Sequence, residues 1–183
     1  MRFLVMKTCP GLFLFAGLSC GAPQPERSAS NEASARSAAA AAVLRQAQAR
    51  GAAAVVDSMF HDPAFDDVVT SGISSGDSLW LVVARTLKPA SDAAISEGLE
   101  MSLGAALPRN PTAVLQLLRD PAAHFDLAWV CGGEVLLDDV DTLRADTVNR
   151  AHRKAARAAL RAVDVPELKA ARDSCLARLG PPD

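Results

Sequence analysis

Tyrosine is absent from this chain of 183 residues, and the other aromatics are few: two tryptophans and six phenylalanines. Three of those phenylalanines, Phe3, Phe13 and Phe15, fall in the first nineteen residues. A folded core must therefore be built mainly from leucine, valine and alanine. An excess of positive charge is also missing. Beyond residue 19 the chain carries 17 basic and 21 acidic residues, a net charge of −4, which excludes strong nucleic-acid binding. No Cys-x-x-Cys pair occurs, and neither Cys131 nor Cys175 has a further Cys or His close by in sequence. Neither a dithiol redox motif nor a zinc site is spelled out, and no metal or cofactor is expected. No repeat stands out. The apolar run Leu12–Leu18 is too short to span a bilayer.

What is present begins with export. Arg2 and Lys7 precede that apolar run, the order of a secretory leader. The run ends in Gly17-Leu18-Ser19-Cys20, which resembles the lipobox of bacterial lipoprotein precursors. The resemblance covers the leader alone. It implies a signal peptide of residues 1–19, diacylation of the Cys20 thiol and membrane anchorage through the new N-terminus. Gly17 stands where that family prefers a branched apolar residue. Gly21 stands where Asp favours inner-membrane retention, so the resemblance implies the periplasmic face of the outer membrane. Ordinary cleavage after Ala22, in Cys20-Gly21-Ala22, is the alternative and removes the cysteine; export stands under both. Residues 20–37, rich in Ser, Ala and Pro, bury too little to offset their ordering entropy and read as a flexible tether.

Residues 38–183 suit one domain of about 140 residues. Its punctuation is helical: Asp62-Pro63, Asn110-Pro111 and Asp120-Pro121 each read as an N-cap followed by the first helical residue. The alanine-rich stretch on either side of Gly51 predicts one bent helix or two joined there. Leu79-Trp80-Leu81-Val82-Val83-Ala84 predicts a central helix, with a strand as the other reading. Ser91 should cap a helix through Ile95, Leu99 and Leu103, in which Gly98 and Gly104 allow close packing. Thr142–Val163 should be the longest helix, and Pro166 should open the last. The expected class is all-α, a small multi-helix bundle or αα-hairpin stack. In an oxidising periplasm Cys131 and Cys175 should form one disulfide. The strings Ser75-Gly76-Asp77-Ser78-Leu79-Trp80 and Asn110-Pro111-x-x-Val114-Leu115, with the paired cysteines, look like uncharacterised small helical proteins exported by Gram-negative bacteria. That resemblance brings no activity with it.

Chemistry is thinly signalled. Gly72-Ile73-Ser74-Ser75-Gly76 matches the G-x-S-x-G of α/β-hydrolases, and His152 could be paired with Ser74 as its base. No β–α alternation surrounds it, so a loop capping the Trp80 helix is the preferred reading. His61, Asp62, Asp66 and Asp67 group an imidazole with carboxylates, a pattern that a helix start explains better than a metal. Asp138, Asp139 and Asp141 lack the glycine and glutamate of a calcium loop. His124 stands alone near a helix start. Arg150, Arg153, Lys154, Arg157 and Arg161 recur at helical spacing, opposite Ala151, Ala155, Ala158 and Ala162. They define a candidate face for an acidic partner or anionic lipid. With no catalytic residue assigned, the expectation is a non-enzymatic periplasmic binding module, immunity- or inhibitor-like, with an envelope protein as partner. The alternatives are a small envelope hydrolase and a structural lipoprotein that contacts membrane or envelope polymers through the basic face.

Overall fold

A computed structural model describes residues 25–132 and 142–180 of the chain. The leader, Cys20 and the Asp138, Asp139, Asp141 run lie outside them. All regular structure among the described residues is helical, as the proline and capping pattern predicts.

Helix α1 (Pro25–Arg50) opens on a proline, whose missing N–H is no loss in a first turn. It holds no glycine or β-branched residue before Val43, a composition that favours helix over coil. Residues 25–37, expected within the flexible tether, are therefore helical. The expectation weighed only the shortage of buried surface, which holds, since residues 31–36 are exposed and burial begins in earnest at Ala40. From there Ala40, Val43 and Ala47 form one buried stripe. Gly51, at φ 87°, ends α1 and resolves the open choice in favour of two helices.

Helix α2 (Ala52–His61) is followed by α3 (Pro63–Ser74), where the Asp62 carboxylate accepts from the Ala64 and Phe65 N–H groups. In α4 (Ser78–Leu87), Asp77 caps the first turn and Trp80, Leu81, Val83, Ala84 and Leu87 are buried. Trp80 is the wedge of this half. Its ring lies so close to Gly72 that a Cβ there would fall 2.4 Å from it, and its indole N–H donates to the Arg36 carbonyl of α1 at 3.1 Å. One side chain thus fixes the spacing of α1, α3 and α4.

A 3-10 turn (Lys88–Ala90) leads to α5 (Ala93–Ala106). Asp92 caps α5, not Ser91, whose hydroxyl turns back to the Lys88 carbonyl. Of the two glycines of α5, Gly104 packs closely as expected and Gly98 does not. Space is open around Gly98, whereas a Cβ on Gly104 would meet the Val130 carbonyl at 2.7 Å. Helix α6 (Pro111–Arg119) is capped by Asn110. Asp120-Pro121 starts only a 3-10 turn (Pro121–Ala123), because His124 adopts φ 55° and breaks the direction. The one-turn helix α7 (Leu127–Val130) comes next. Helix α8 (Thr142–Arg161) and α9 (Lys169–Arg178) close the fold, with Pro166–Leu168 as a 3-10 lead-in. Cys131 and Cys175 are disulfide-bonded, their Cα atoms 5.1 Å apart, and join the end of α7 to α9.

Candidate functional site

The short helix α7 is held at several points, and it presents an aromatic side chain. Lys88, next to Pro89, is buried with its ammonium 2.7 Å from Glu100 Oε1, in a pair whose side chains are 6% and 4% exposed. The same ammonium reaches Ser96 Oγ and lies 5.7 Å from the centre of the Phe125 ring. Glu100 Oε1 also accepts the Asp126 N–H at 2.7 Å, at the mouth of α7. Asp126 in turn caps α7 through Ala128. Gly104 meets α7 from behind, Val130 is buried, and Cys131 is tied to α9. Between these fixed points Trp129 stands 49% exposed. A large aromatic held on a rigid segment loses little entropy on contact, which is why tryptophan is enriched at the energetic centres of interfaces.

The buried pair was not foreseen. Its signal was nonetheless present, because Glu100 lies between Leu99 and Met101, one position from the buried helical stripe, and Lys88 lies between Leu87 and a proline.

The basic face on α8 does not form as expected. The residues turned toward the core are Ala156 and Leu160, with His152 and Arg153 half-buried beside them, while Ala151, Ala155, Ala158 and Ala162 are exposed. Arg157 is buried, 8% exposed, and donates to the Leu179 carbonyl at 2.9 Å. Arg150, Lys154 and Arg161 remain on the surface and Arg153 at its edge. Spacing alone groups the five charges and sets the alanines on the opposite side. The helix instead turns Leu160 to the core, and the long Arg157 stem can be buried because its head reaches a carbonyl.

The G-x-S-x-G string is mainly the last turn of α3, not a loop: Gly72 and Ile73 are buried and Ser75 ends the helix. The Ser74 carbonyl accepts from Arg109 Nη1 at 3.1 Å, and no described hydrogen bond joins its hydroxyl to a histidine. His152 is half-buried on α8. Burial holds its pKa below the ordinary imidazole value, and the nearby Arg109 and Arg153 charges press it further in that direction. His61 is exposed and pairs with Asp57 at 3.6 Å, while Asp62 is occupied in capping. Burial and then Asp67 push the Asp66 carboxyl above its usual range. Among the described residues no group of three or more His, Cys, Asp or Glu is placed to hold a metal. His124 is exposed at its turn.

A groove of about 340 Å³ between α4 and α6 is walled by Leu81, Val82 and Leu117. Its charged residues, Arg85 and Asp120, pair with each other across it. No described helix is long and apolar enough to cross a membrane. No family model, curated protein or solved structure matches the chain.

Proposed function

We propose that this protein is an exported, non-enzymatic binding module of the bacterial envelope, held at the periplasmic face of the outer membrane by lipid on Cys20. Its partner is an envelope protein, and its action is immunity- or inhibitor-like. Trp129 carries the reading, because a half-exposed tryptophan is fixed by a buried ion pair, a glycine contact and a disulfide. Such anchoring favours recognition of a partner surface, where a preorganised aromatic contributes most. The disulfide also suits an oxidising compartment, in keeping with the Arg2-to-Cys20 leader.

The test is crosslinked affinity capture from the native envelope with the wild-type protein and with Trp129→Ala. The expected result is one stoichiometric envelope protein captured by the wild type and lost with the variant, while the variant's melting temperature is unchanged. Equal capture by both proteins, or capture of abundant envelope proteins alone, would overturn the reading.

A further inference from the structure

We propose that the groove between α4 and α6 takes helix α3 of a second copy of this chain, so that copies associate head to tail. Where the two helices begin, the Asn110 amide donates to the Gly76 carbonyl at 2.9 Å, and where they end, Arg85 pairs with Asp120 at 2.5 Å. Helices α4 and α6 therefore run parallel. The wall from α4 is Ser78, Leu81, Val82 and Arg85. The wall from α6 is Ala113, Gln116, Leu117 and Asp120. Each set follows the three, four and seven spacing of one helical face, so two matched stripes line the groove side by side. Two such stripes accept a third helix laid between them. Leu81 is buried there, whereas Val82 is 47% exposed.

Charge selects both the direction and the occupant. The Asp120 carboxylate is spent, since one oxygen accepts the Ala122 N–H and the other pairs with Arg85. Arg85 is described in that pair alone, through Nη2, which leaves Nη1 and Nε to donate. This end of the groove calls for an anion. It is also where α4 and α6 both end, so their macrodipoles favour a third helix that runs antiparallel, with an acidic N-terminal part beside Arg85. Among the described residues of α2 to α9, only α3 has an acid in its first helical turn, Asp66. On the exposed side of α3 lie Ala64, Asp67, Val68 and Ser71, at the same spacing as each groove wall. Val68 is 47% exposed, and Asp67 has no described ion pair. Asp67 of one copy then meets Arg85 of the other, and Val68 covers Val82 and Leu117. A copy that lends α3 keeps its own groove open, so association continues into rings or open chains. This contact uses neither Trp129 nor its partner.

The contact is small, so a dissociation constant on the order of 0.1–1 mM is expected. Sedimentation equilibrium of the whole chain across that range should show a mass that rises past the dimer. Val68→Glu and Val82→Glu, both at exposed positions, should each weaken association at least about tenfold by placing a carboxylate in the apolar contact, with unchanged melting temperatures. Mixed in equal amounts, the two variants should pair and grow no further, because Val68→Glu keeps a working groove and Val82→Glu keeps a working α3. Asp67→Arg should weaken association about tenfold, and Arg85→Glu in the same chain should restore it. A wild type that stays monomeric, a mass that stops at the dimer, or mixed variants that do not pair would overturn the assignment. Association lost with Val82→Glu and kept with Val68→Glu overturns it too, since something other than α3 then fills the groove.

Discussion

Around Trp80, helices α1 to α4 are joined by apolar contact, whereas α7 to α9 are joined by a disulfide and by arginines that reach backbone carbonyls. In the first region Val55, Val69, Ile73, Val83 and Leu87 are fully buried, and the indole N–H of Trp80 is satisfied by α1. Among the described residues of the second, the buried apolar ones are Val130, Ala156, Leu160, Val163, Leu168 and Leu179 with the two cysteines. Arg157 reaches the Leu179 carbonyl there and Arg172 the Val163 carbonyl, each at 2.9 Å. The difference follows from composition. Among its described residues helix α8 has alanine where α4 has leucine and valine, and covalent and polar links add to its packing.

The sharpest way to break this contrast is Trp80→Ala. It should cost roughly 3–5 kcal/mol, and urea unfolding followed by circular dichroism should show it. The Lys88–Glu100 pair joins the two regions, so Glu100→Gln should cost about 3 kcal/mol by leaving a buried ammonium without its counter-charge. Replacing both partners with apolar residues should recover most of that loss in the same assay. Cys131→Ser should cost about 2–4 kcal/mol for a loop of 44 residues. Hydrogen exchange should then accelerate in α8 and α9 and stay unchanged in α1 to α4; acceleration throughout would erase the distinction.

The smallest effect concerns His152. Because its pKa is depressed by folding, the unfolded chain takes up the proton first as pH falls. Stability should therefore decline as pH drops below the free-imidazole value of about 6.5 and level off below the folded value. Thermal melts between neutral and mildly acidic pH should show a shallower decline in His152→Gln.

Those features that depend on neighbours in sequence were legible from it. Asp62 and Asn110 cap the helices that Pro63 and Pro111 begin, and the apolar run around Trp80 is helical. Cys131 and Cys175, the only two cysteines of residues 38–183, meet in a disulfide. Features that depend on distant neighbours were not legible. The inward face of α8 is chosen by what α6 and α9 offer, and five basic residues at regular spacing carry no record of that choice. The Arg109 charge, which helps hold the His152 pKa down from more than forty positions away, is likewise invisible to local sequence. The exposure of Trp129 depends in the same way on how Gly104 seats α7.

The bond between Cys131 and Cys175 closes a ring that contains α8 and most of α9. A protease that cuts once inside this ring releases no fragment. The severed pieces remain one covalent molecule, migrate as one band, and separate only when a reductant is added. In a compartment that holds both proteases and oxidants, a single cleavage between these cysteines leaves the C-terminal helices attached beside α7.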